Sequence, residues 1–147
     1  MSYGRGWAGA GIALVVGVGC TGWQSGGERT ALVEIVNVSE RDFRDNATVQ
    51  VWPEFPAASL GWGASGVAVA EVIAAEEGHV ESVRILEAPD ALIGTAVYQA
   101  VLQWRIRAPL EGDEVPRRVR TKLFFYFGII EGQACVRTPE QVREGRC

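Results

Sequence analysis

The sequence predicts an α+β domain. A small antiparallel three-stranded sheet carries one main helix packed on it, in the order β-β-α-β, with room for an extra N-terminal strand. Three observations predict it. Two strand-length apolar runs, 67–74 and 80–86, are separated by Glu76-Glu77-Gly78-His79, a turn whose positive-φ position falls to Gly78. Apolar residues then recur with helical period from Leu92 to Trp104. Finally, residues 116–127 alternate strictly, with Val119, Thr121, Leu123, Phe125 and Phe127 on one face and Arg118, Arg120, Lys122, Phe124 and Tyr126 on the other.

Each element has its local cause. Residues 31–38 form an apolar run with β-branched side chains, which reads as a strand, and 39–46 are charged, a loop or short helix. Residues 48–52 are again strand-like until Pro53 stops them. Pro56 opens one helical turn over 56–60, where its missing N–H does no harm, and Gly61, Gly63 and Gly66 punctuate the exit. Residues 67–74 are apolar on both faces apart from Glu71, which leaves one face to be covered by something beyond the basic sheet. Asp90 follows Pro89 as an N-cap, because its carboxylate can accept the free amide protons of a first turn. The helical stripe is Leu92, Ile93, Ala96, Val97, Ala100, Val101 and Trp104, and Ala108-Pro109 ends the helix.

Composition excludes several functions. The chain has 147 residues, 48% of them apolar, enough for one core. Its formal charge is −4 with no basic block, a poor match to phosphate-driven nucleic-acid binding. There is one histidine, His79, and no Ser/His/Asp or Cys/His set can be assembled around it, so no catalytic residues are expected. His79 lies far in sequence from the cysteines, and neither a metal nor any other cofactor is expected. Gly17-Val18-Gly19-Cys20-Thr21-Gly22 matches the dinucleotide fingerprint only formally, since no βαβ unit surrounds it. Asn46-Ala47-Thr48 is a chance glycosylation match.

The first 20 residues read as a targeting segment. Arg5 precedes an uncharged run from 6 to 27 whose most apolar part is Ile12-Ala13-Leu14-Val15-Val16. The run leads to Cys20 through Gly17-Val18-Gly19, which resembles the lipobox of bacterial lipoproteins and marks Cys20 for lipidation. An ordinary cleaved signal and a retained membrane anchor are the alternatives. Residues 21–50 then make a tether and N-terminal extension, and 51–128 the main domain. Residues 129–147 form a C-terminal tail that a disulfide between Cys135 and Cys147 would close in an oxidising compartment.

The main domain resembles the C-terminal domain of TonB-family proteins. The residues that carry the likeness are Trp52-Pro53, Gly66, Gly78-His79-Val80, Val83 and Ile85, Ala96 and Ala100, and Trp104-Arg105-Ile106. Gly112 and Val115 then lead into the aromatic last strand. The resemblance implies a periplasm-facing domain of the bacterial cell envelope. It would bind an extended peptide of an envelope partner, such as the TonB box of an outer-membrane receptor, by β-augmentation. The implied site is the edge of the last strand, 119–127, with Arg118, Arg120 and Lys122 attracting an acidic segment and Phe124 and Tyr126 giving contact surface. An unpaired aromatic strand is also a pairing template, so a homodimer, or a structural envelope lipoprotein without a transducing role, is the alternative. The 24 residues from 28 to 51 contain no proline and reach at most about 85 Å, unlike the long Pro-rich spacer of a TonB energy transducer.

Overall fold

The computed structural model describes residues 34–107 and 117–147. The lipobox with Cys20, the targeting segment and the tether up to residue 33 lie outside the described residues. In chain order the elements are β1 (Ile35–Asn37), α1 (Glu40–Asp45), β2 (Ala47–Val49), α2 (Ala57–Gly61), β3 (Gly66–Ala74), β4 (Val80–Glu87), α3 (Ala91–Val101), β5 (Arg105–Ile106), β6 (Arg118–Ile130), β7 (Gln133–Arg137) and α4 (Pro139–Arg143).

The three strands expected from sequence, β6, β3 and β4, belong to a larger, mixed sheet with strand order β1-β6-β3-β4, in which β4 is outermost. β3 runs antiparallel to both neighbours, so Ala70 faces Ile85 on one side and Leu123 on the other. β1 joins parallel to the start of β6, with Ile35 opposite Arg118 and Asn37 opposite Arg120. β7 folds back antiparallel on the end of β6, from Tyr126 opposite Arg137 to Ile130 opposite Gln133. The turn between them places Glu131 (φ 50°) and Gly132 (φ 79°) in left-handed backbone, as a tight hairpin requires. β2 and β5 pair in a separate ribbon. The tail is thus a strand and a capped helix: Thr138 and Gln141 bond each other's backbone amides at 3.2 and 2.9 Å. Cys135 and Cys147 are disulfide-bonded, with Cα atoms 5.7 Å apart.

The core lies on the inner face of the sheet. Val119, Thr121, Leu123, Phe125 and Phe127 all point into it and are buried, as alternation requires. Trp104 is fully buried between Phe43, stacked at 6.3 Å, and Phe125, edge-on at 6.3 Å. Its indole N–H donates to the Val51 carbonyl at 2.8 Å, which ties the segment before α2 to the core.

α3 departs from its sequence reading in two ways. Leu92, assigned to the apolar stripe, is 43% exposed, while Gly94 is buried. A Cβ at position 94 would stand 3.3 Å from the Ala88 Cβ, so the glycine lets the helix turn that side onto the sheet. The helix also stops at Val101, well before Pro109. Trp104 must enter the core, and Arg105 and Ile106 are drawn into extended pairing with β2.

The cap is as predicted. The Asp90 carboxylate accepts from the Ile93 amide at 2.7 Å and from the Trp62 indole at 3.2 Å. Chiefly through the Ile93 amide, these bonds hold its pKa below the ordinary 3.8. A depressed carboxylate stabilises the fold above its unfolded pKa and loses that contribution as pH falls through its folded pKa. The gap in melting temperature between the native chain and Asp90→Ala is therefore expected to be constant near neutrality. It should close as pH drops below about 4. Thermal melts across that range check it, and a gap that persists at low pH would assign the effect to something other than the charged cap.

Candidate peptide-binding edges of the sheet

The last strand is not the free edge that the sequence predicts. β3 occupies one side of β6, and β1 and β7 share the other, covering 118–120 and 126–130. The intervening stretch is closed by side chains. On β6 the even-numbered residues turn their backbone groups away from β3. Thus the Arg120 carbonyl accepts from Val38 at 2.9 Å, and Phe124 faces α1. Glu40 Oε1 accepts from the Phe124 amide at 3.0 Å, and Arg44 Nη2 donates to the Phe124 carbonyl at 3.2 Å. One helical turn thereby supplies the acceptor and the donor that a partner strand would have supplied.

This latch is deeply set. The Glu40 and Arg44 side chains are 17% and 12% exposed and bond each other at 2.8 Å. The guanidinium lies 5.0 Å from the Phe125 ring centroid, 5.3 Å from Trp104 and 5.8 Å from Trp52. Burial lowers the Arg44 pKa and Glu40 partly restores it. α1 itself is set by sequence: Ser39 caps it through the Asp42 amide at 3.1 Å, and Phe43 anchors it in the core. Glu40 and Arg44 sit four apart on that helix, a visible pairing. No sequence signal says that their target is the backbone of residue 124.

The open edge is β4. Beyond its first residues no strand lies on its outer side among the described residues; His79 alone bridges to Arg105 there, and Ile106 donates to the Gly78 carbonyl at 2.8 Å. Since β6 takes the even-numbered groups of β3, its odd-numbered ones face β4. Ser82 and Arg84, opposite Ile73 and Glu71, therefore bond inward, and Val83 and Ile85 turn their N–H and C=O outward. Beside this edge, Ile85, Ala88, Ala91, Gly94 and Tyr98 line a predominantly apolar groove between β4 and α3. A strand laid on Val83 and Ile85 would drop alternate side chains into it.

The residues assigned to an edge therefore lie elsewhere, on the outer face of the sheet. Arg118 is paired with Glu81 at 2.7 Å. Lys122 is exposed, and Arg120, Phe124 and Tyr126 are half-buried along the same strip. The structure brings these five into one line, but not onto an unpaired backbone. Val83, Ile85 and Tyr98 were not legible as site residues, because only sheet order says which strand is outermost. Among the described residues no three His, Cys, Asp or Glu side chains converge as metal ligands, and no helix is long and apolar enough to cross a membrane.

No family model matches the chain, and no curated protein matches it. Among solved structures the chain is similar to the solution NMR structure of the Pseudomonas aeruginosa TonB CTD. The identity is 22%, the match covers 59% of this chain and 87% of that one, and the TM-score is 0.49.

Proposed function

We propose that the chain is a protein-interaction domain of the bacterial cell envelope that takes an extended segment of a partner protein as an added strand. The observation that carries this reading is the outward-facing backbone of Val83 and Ile85 on β4, bordered by an apolar groove. The envelope setting rests on the lipobox-like approach to Cys20 and on the TonB-family resemblance of 51–128, and the segment would be TonB-box-like. Lipid on Cys20 would hold the domain at the membrane. An intact mass of the membrane-extracted protein starting at Cys20, with acyl mass added, is the expected result. A chain retaining residues 1–19 would overturn that anchor.

Val83→Pro tests the edge. Proline removes the outward N–H while leaving the inward ladder to β3, and edge strands tolerate it. Titration calorimetry with a synthetic TonB-box-like peptide should show capture by the native chain and at least tenfold weaker capture by Val83→Pro, with melting temperature little changed. Equal capture by the two chains, with tighter capture by a chain whose α1 latch is broken, would move the site to β6 and overturn the β4 reading.

A further inference from the structure

The outer face of β6 holds the cationic and aromatic residues that the β4 edge leaves unused. Cα partners across the sheet share a face, so Arg120, Lys122, Phe124 and Tyr126 stand beside Ile73, Glu71, Val69 and Val67 of β3, and Arg137 of β7 stands beside Tyr126. Two cations of this face are neutralised: Arg84 bonds Glu71 at 2.9 Å and Arg118 bonds Glu81 at 2.7 Å. Arg120, Lys122 and Arg137 have no carboxylate partner among the described residues, on a chain whose formal charge is −4. The local excess of positive charge opposes the sign of the whole molecule.

The strip is also shaped. The Nε atoms of Arg120 and Arg137 are buried, so the inner part of each side chain is packed against the protein. That packing lowers the ordering cost of binding. Between them Phe124 and Tyr126 are half-buried, and a groove of about 440 Å³ opens beside Phe124, lined by Val38, Arg120 and Lys122 and by two carboxylates, Glu40 and Glu71, that are already neutralised by Arg44 and Arg84. Arg120 and Tyr126 are six positions apart on one strand, which spans about 20 Å at ~3.3 Å per residue.

We propose that this face is a second docking surface, for an acidic polypeptide segment. That segment would place carboxylates at both ends of a six- to seven-residue apolar stretch, one end at Arg120 and Lys122 and the other at Arg137. Carboxylate–guanidinium contacts would fix its register, and Phe124 and Tyr126 would take the apolar centre. A membrane surface fits less well, because the two aromatics are recessed instead of protruding. The proposal stands apart from the β4 edge, which uses backbone groups on another strand.

Fluorescence anisotropy of the full-length chain tests it. The probe is a labelled ten-residue peptide with two glutamates at each end and aliphatic residues between. Saturable binding at low salt is expected. Raising the salt from 0.05 to 0.3 M should weaken it several-fold. Lys122→Glu, on an exposed side chain, should weaken it about tenfold, and Lys122→Glu with Arg137→Glu should abolish it. Near-UV circular dichroism establishes that each variant folds, and Lys122→Glu alone decides the matter where the double variant does not. Absent saturable binding overturns the proposal, as does binding that ignores salt and Lys122→Glu. Binding that Val83→Pro removes and the charge reversals spare belongs to the β4 edge, and preference for phosphatidylglycerol vesicles over the peptide makes the face a membrane contact. Either result overturns it.

Discussion

Replacing Glu40 with alanine is expected to lower the free energy of unfolding by about 3–5 kcal/mol, the range for breaking one partner of a buried ion pair. Two groups lose their partner at once. The Arg44 guanidinium stays buried among Trp52, Trp104 and Phe125 without its carboxylate, and the Phe124 amide loses its only described acceptor on that side. Arg44 Nη1 is already buried without a partner, so no nearby acceptor stands ready to compensate. For comparison, Glu71→Ala, which breaks the more exposed pair with Arg84, should change stability by about 0–1 kcal/mol. Urea denaturation of the two variants measures the contrast. Equal losses would mean that the Glu40–Arg44 pair is no better shielded from water than its surface counterpart.

The same substitution exposes the backbone of residue 124. Hydrogen exchange at the Phe124 amide should accelerate in Glu40→Ala well beyond the change at Leu123, whose backbone faces β3. A strand edge freed this way is also a template for pairing, so sedimentation should show more concentration-dependent self-association in Glu40→Ala than in the native chain. Domains of this kind total about 5–15 kcal/mol of stability, so the variant needs low temperature to stay folded during these measurements.

Trp104→Ala should destabilise by about 3–5 kcal/mol, through lost burial and the cavity that remains. Trp104 is fully buried, and its ring is the meeting point of Phe43 from α1 and Phe125 from β6. Removing it loosens the sheet and the latch together. Trp104→Phe keeps part of the volume but leaves the Val51 carbonyl without its 2.8 Å donor. That variant should lose about 1–3 kcal/mol. A Trp104→Phe loss as large as that of Trp104→Ala would assign most of the effect to the hydrogen bond instead of the cavity.

Where local chemistry decides, the sequence was readable. The alternation from Val119 to Phe127 is the burial pattern of β6, Gly78 takes φ 92° in the hairpin, and Asp90 caps α3. In each case the cause lies within a few residues: a period of two, a missing Cβ, a carboxylate three positions from an amide. Leu92 shows the limit. A stripe by period admits Leu92, and only the close approach of Gly94 to Ala88 turned the helix and left Leu92 in water.

The candidate site fell on the other side of that limit. Arg118, Arg120, Lys122, Phe124 and Tyr126 were correctly read as one face of one strand, yet whether that strand is an edge depends on what lies beside it. Two distant segments, β1 and the Glu40–Arg44 pair, decided this together with β7, which folds back from the end of β6. Sequence by itself determined β3, β4, the start and Asp90 cap of α3, and the buried face of β6, because periodicity and capping are local, but not β5, β7, α4 or the end of α3. Only the tertiary structure decided that β6 is closed and β4 open, because a backbone hydrogen bond carries no side-chain signature and the side chains that close β6 at Phe124 come from 80 or more positions away.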